Sequence, residues 1–94
     1  MEIKNKAYGN KSMFYIEQNG KTVARMEYTI PGPGRLMVEH TEVDEVLKGK
    51  GAGTQLFLHM AEYARANHLK VSSHCSFTSA MFQRKPEYSD ILYK

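Results

Sequence analysis

Residues 48–54, Lys-Gly-Lys-Gly-Ala-Gly-Thr, put three glycines, two lysines and a hydroxyl directly ahead of a strongly amphipathic run. Those residue types in that order suit an anion. The start of a helix offers unpaired amides and the positive end of the macrodipole, and glycines let a phosphate approach without a Cβ in the way. Lys48 and Lys50 add mobile positive charge, and Thr54 adds a hydroxyl in the first turn. Several amides offered in sequence fit a pyrophosphate better than a lone phosphate. A bare strand-to-helix turn would need one glycine, not three flanked by cations.

Two common phosphate loops fail on spacing. The nucleotide P-loop needs its Gly-Lys pair directly before Ser or Thr, but Gly49-Lys50 comes early and Thr54 follows Gly53. A dinucleotide fingerprint beginning at Gly51-Ala52-Gly53 requires Gly or Ala where Leu56 stands, and 94 residues leave no room for a doubly wound sheet.

The elements that must position this loop are legible. Asn19-Gly20 between two β-rich runs predicts a hairpin, because both central residues tolerate positive φ. Within 22–30, Ala24, Met26, Tyr28 and Ile30 alternate with Val23, Arg25, Glu27 and Thr29, the strand period of two. The Pro-Gly-Pro-Gly at 31–34 ends that strand and 35–41 forms the next, while 2–8 reads as a further edge strand. From 51 to 67 the period becomes helical, with Leu56, Phe57, Met60, Ala61, Tyr63 and Ala64 on one side; only Leu58 is misplaced. Residues 69–75 return to strand, with Leu69, Val71, Ser73 and Cys75 on one face and His74 on the other, and a helix over 76–85 stops at Pro86. This order predicts a mixed α/β fold: antiparallel strands leading into one βαβ unit, whose right-handed crossover sets 35–41 beside 69–75 as a splayed parallel pair.

Length and composition set the frame. A 94-residue chain with 41% apolar residues can close one modest core, so 1–94 is read as a single domain. Thirteen Lys and Arg against ten Asp and Glu are scattered along the chain, which suits a small anionic ligand and only weakly favours nucleic acid, a poorly fitting partner without a clustered basic stripe. The one cysteine cannot form an internal disulfide, and no Cys/His spacing matches a metal site. No run approaches the about 20 apolar residues of a membrane span, and the beginning lacks a signal-peptide core. The chain is therefore read as cytoplasmic and monomeric, without a metal.

With the loop and the elements in place, Lys48-Gly49-Lys50-Gly51-Ala52-Gly53 resembles the motif Gln/Arg-x-x-Gly-x-Gly/Ala of the GCN5-related N-acetyltransferase superfamily, with Lys in first position. The stretch "HTEVDEVLKGKGAGTQL", followed by "CSFTSAMFQRKPEY", is similar to a small single-domain subgroup of it, over about residues 10–92. The subgroup has arginine where Lys48 stands, and proline where Ser76 leaves the turn after Cys75 less fixed. The resemblance implies acetyl-CoA as cosubstrate, its pyrophosphate on Lys48, Gly49, Lys50, Gly51, Ala52, Gly53 and Thr54, and its acetyl and pantetheine groups along Glu42 and Val43. Phe82 and Lys85 complete the implied cofactor-binding set.

What happens to a held acetyl group is less constrained. Acetyl transfer needs a neutral amine, a polarised thioester carbonyl and a proton for the leaving thiolate. Larger members commonly use a tyrosine of the last helix as acid, and Phe82 stands near that position. Cys75, at the carboxyl end of its strand, has three readings: acyl-accepting nucleophile, acid, or packed side chain. Glu42 is the candidate base. His40, sharing by alternation the face of Leu36 and Val38, reads as packed, and Tyr88 as an aromatic closing the core. With no acceptor groove built after the last helix, the acceptor site is expected to be shallow and its amine to come from a small molecule or a protein. The alternative is a non-catalytic acyl-CoA-binding module.

Overall fold

A computed structural model describes residues 1–93. Its elements run β1 (Lys4–Tyr8), β2 (Lys11–Gln18), β3 (Lys21–Thr29), β4 (Arg35–Val43), a 3-10 turn (Glu45–Leu47), α1 (Ala52–Ala66), β5 (Lys70–Ser73), α2 (Ser76–Arg84) and a 3-10 segment (Pro86–Ile91). Strands β1 to β4 form an antiparallel meander, and β5 joins β4 in parallel, giving the sheet order β1-β2-β3-β4-β5. The fold is the mixed α/β sheet expected, with Pro86 opening a 3-10 segment rather than only ending a helix.

Local chemistry accounts for most of it. Asn19 and Gly20, at φ 54° and 77°, make the two-residue turn that sets Gln18 opposite Lys21. In α1 the buried side chains Leu56, Phe57, Met60, Ala61 and Ala64 face the sheet, and Gln55, His59, Glu62 and Arg65 are exposed. Phe14, Met26, Leu36 and Val38 meet them from the strands, fully buried. Each such side chain contributes about 1.5–3 kcal/mol of transfer free energy, which ties helix to sheet behind the glycine loop. Helix α2 lies on the same face, with the rings of Phe82 and Phe57 edge to face at 5.0 Å. None of the described helices is long and apolar enough to cross a membrane.

Two irregularities decide which side chains share a face. Ile16 pairs with Ala24 but Glu17 with Thr22, so Val23 is an extra residue in β3. Val23 is buried like Ala24, and Ile30 at the strand's end is 48% exposed rather than part of the apolar face. The second bulge matters more. Tyr28 pairs with Val38 but Glu27 with His40, so Glu39 is the extra residue and the alternation of β4 inverts beyond it. His40 is therefore not packed with Leu36 and Val38. It stands exposed on the far face, 3.6 Å from Glu42, while Thr41 and Val43 take the helix side.

Candidate functional site

The β4–β5 pair opens at the same bulge. Register runs from Arg35 opposite Lys70 to Val38 opposite Ser73, and the last bond joins the His74 amide to the Val38 carbonyl at 2.9 Å. The splay expected along 35–41 thus begins beyond Val38, where β4 continues to Val43 without a strand on that side.

One wall of the opening is the loop into α1. Gly49 and Gly51 both sit at φ 77°, a region that glycine enters without strain, and Gly51 is the N-cap residue. Lys48 N–H donates to Glu45 O and Lys50 N–H to Leu47 O, both at 3.1 Å, and Gln55 N–H donates to Gly51 O at 2.9 Å. Among the described residues, the amides of Gly49, Gly51, Ala52, Gly53 and Thr54 find no backbone acceptor. They border a cavity of about 230 Å³ that Val43, Leu47 and Phe77 also line. Lys48 Nζ is held by Glu45 Oε1 at 2.7 Å, whereas Lys50 is exposed and forms no ion pair among the described residues.

The other wall carries Cys75, the N-cap residue of α2. Ser73 fixes the turn that a proline would otherwise stiffen: its Oγ accepts from Cys75 N–H at 2.9 Å and donates to the Cys75 carbonyl at 2.8 Å. The half-buried thiol reaches across the opening to Thr41 Oγ1, 3.5 Å away on β4. Partial burial pushes the thiol up. The hydrogen bond with Thr41, together with the amides of Thr78 and Phe77 and the Thr78 hydroxyl placed to donate to an ionised sulfur, outweighs it, holding the thiol below its ordinary 9.0. Phe77 joins the two walls, because its amide faces this thiol and its ring lies over Gly53.

A thiol that ionises more readily than usual beside unpaired helix-start amides suits an acyl thioester carrying a phosphate tail. Comparison with known proteins agrees: the family model described as GCN5-related N-acetyl-transferase matches residues 13–91. The chain belongs to the GCN5-related N-acetyltransferase family. An NMR structure of a GCN5-like protein from Staphylococcus aureus is 31% identical, with TM-score 0.74 over 96% of this chain and 87% of its own. A ribosomal-protein-alanine N-acetyltransferase from Brucella melitensis (18% identity, TM-score 0.60) is matched over 90% of this chain and 65% of its own. An aminoglycoside N-acetyltransferase solved with CoA (10% identity, TM-score 0.56) is matched over 93% and 70%. No curated protein matches the chain.

On this GCN5-related scaffold the residues singled out from sequence separate into three places. Val43, the loop 48–54 and Cys75 line the β4–α1–α2 opening. Glu42 lies on the far face, its Oε1 3.1 Å from Arg25 Nη2 and its Oε2 near His40. Phe82 is buried against Phe57, and Lys85 caps the opposite end of α2 from Cys75. Tyr88 packs on Phe57 at 5.8 Å and donates to Glu62 Oε2 at 3.2 Å, closing the core edge as expected. Sequence reasoning missed Thr41 and Thr78. Alternation put Thr41 on the wrong face, and Thr78 reads as an ordinary polar position in a short helix.

Proposed function

We propose that the chain binds acetyl-CoA and moves its acetyl group to an amine through Cys75. The observation that carries this reading is the juxtaposition, through the single residue Phe77, of the free amides at the start of α1 and the Cys75 thiol. The pyrophosphate rests on the amides of Gly49 and of residues 51–54 with the exposed Lys50 as its cation, and the pantetheine arm runs along Val43 to the split. The Cys75 thiolate attacks the thioester carbonyl; the new S–acetyl bond forms as the bond to CoA sulfur breaks, and that sulfur leaves as a thiolate. A neutral amine then attacks S-acetyl-Cys75, the acetamide forms and the Cys75 thiolate returns. Glu42, on the far face beyond the bulge with His40 beside it, takes the proton that the amine loses, through water.

One observation favours a second reading, an acyl-CoA-binding module without turnover: Phe82, near the position of the family's acid, is a ring buried in the core. Mass spectrometry after incubation with isotopically labelled acetyl-CoA and a panel of polyamines and lysine peptides separates the two. Transfer requires a labelled adduct on Cys75 that an amine discharges. An adduct-free wild type whose melting temperature acetyl-CoA still raises would establish the binding module. Acetyl-CoA and CoA both leaving the melting temperature unchanged would remove both readings, since a ligand at a hundred times its Kd adds about 2.7 kcal/mol.

A further inference from the structure

Thr78 is the one buried polar side chain among the described core residues; it is fully buried, and its Oγ1 has no hydrogen-bond partner. A helical threonine ordinarily satisfies its hydroxyl on the carbonyl four residues back. Thr78 does not, and a buried hydroxyl without a partner is costly. Thr78 is the third residue of α2 and Cys75 its N-cap, so the hydroxyl borders the Cys75 thiol instead. From the other side Thr41 Oγ1, on β4, accepts the hydrogen bond that the thiol donates at 3.5 Å.

We propose that Thr78 and Thr41 are positioning residues for Cys75, turning their hydroxyls to donate to its sulfur once its proton has left for solvent. In the thiol state Cys75 S–H donates to Thr41, and Thr78 has nothing to do. Loss of the proton makes the sulfur an acceptor only. Thr41 then reverses from acceptor to donor, Thr78 gains its missing partner, and the amides of Phe77 and Thr78 complete a set of four donors. The unpartnered hydroxyl is thus accounted for by the ionised state of its neighbour.

Charged groups do not substitute for these donors. The first turns of α1 and α2 hold no acidic or basic residue. On β4, His40 and Glu42 stand on the far face, and just after β5 His74 faces away to meet Glu39 Oε1 at 3.3 Å. Lys48 and Lys50 lie in the loop on the opposite wall. The inference rests on Cys75 as the acyl-accepting thiol for its purpose, and its test reads the thiol alone.

The test is the pH profile of Cys75 alkylation by iodoacetamide, followed by mass, in the wild type, Thr78→Val, Thr78→Ser and Thr41→Val. Both valine variants are expected to move the midpoint to higher pH and to slow alkylation at pH 7 by about tenfold, the worth of one hydrogen bond to an ionised group, with the limiting rate at high pH kept. Thr78→Ser should restore the wild-type profile. A folded Thr78→Val with an unmoved midpoint overturns the proposal; should that variant not fold, an unmoved midpoint in Thr41→Val overturns it equally. If the profiles shift as expected and the wild type transfers no acetyl group, the acyl-transfer reading fails and the positioning role stands.

Discussion

The ring of Phe77 lies so close over Gly53 that a Cβ added there would sit 2.9 Å from its Cζ. The third glycine of the loop therefore has a packing role of its own. Gly53→Ala gains about 0.5–1 kcal/mol of helix propensity but forces the ring aside at an overpacking cost of about 1–3 kcal/mol, so a net loss near 1 kcal/mol is expected. In a Phe77→Leu background, which removes the ring, the same change should stabilise. Urea denaturation of the four proteins of this cycle measures the reversal; equal effects in both backgrounds would contradict it.

The two loop lysines should contribute unequally to ligand binding. Lys48 is already held by Glu45 at 2.7 Å, and Lys50 is exposed with no ion pair among the described residues. Lys50→Ala is expected to weaken acetyl-CoA binding by about three- to tenfold at low salt, and Lys48→Ala by less than about twofold. Calorimetric titrations at low and high ionic strength check this, and the Lys50 effect should shrink at high salt. The reverse ranking would place the pyrophosphate elsewhere.

Arg65 on α1 clamps the chain after α2: its Nη2 meets Asp90 Oδ1 at 2.7 Å, its Nε meets Oδ2 at 3.1 Å, and Nη2 also donates to the Glu87 carbonyl at 3.2 Å. Hydrogen bonds from Arg65 hold the Asp90 carboxyl below its ordinary 3.8. A carboxyl depressed on folding stabilises above its unfolded value, and that contribution fades as pH falls through the folded value. The difference in melting temperature between the wild type and Asp90→Asn should accordingly be full at pH 6 and narrow below pH 3.8. A difference independent of pH would show that the pair is not what Asn disrupts.

Strand β1 is exposed along its length, and one side-chain bond reaches it from the core: Tyr28 Oη donates to Asn5 Oδ1 at 2.8 Å. Tyr28→Phe keeps the ring stacked on Phe14 at 4.6 Å while removing that bond, so a cost of about 1 kcal/mol is expected. Hydrogen exchange should accelerate in β1 while α1 changes little, since an edge strand opens below the global free energy. Uniform acceleration would mean that Tyr28 acts only through the core.

Much of the molecule is legible in its residues because much of it is local. The Asn19-Gly20 turn, the helical period from Leu56 to Ala64 and the positive-φ glycines 49 and 51 are each set within a few positions by backbone sterics and side-chain spacing. The stretch around Cys75 is half legible. Its strand end and the following helix follow from pattern, but Ser73, which clasps the turn through two hydrogen bonds, carries no signal that distinguishes it from Ser72.

The amino-acid sequence by itself determined the glycine-rich loop ahead of α1, the order of strands and helices and the family to which they belong, because glycine placement and hydrophobic period act through neighbours in the chain. Tertiary structure alone decided the faces around the opening. One extra residue, Glu39, accommodated by pairing with β3, inverts β4 beyond it. That inversion sends His40 and Glu42 to the far side and brings Thr41 to the sulfur of Cys75. Alternation counted along one strand cannot register an insertion that exists only relative to its partner.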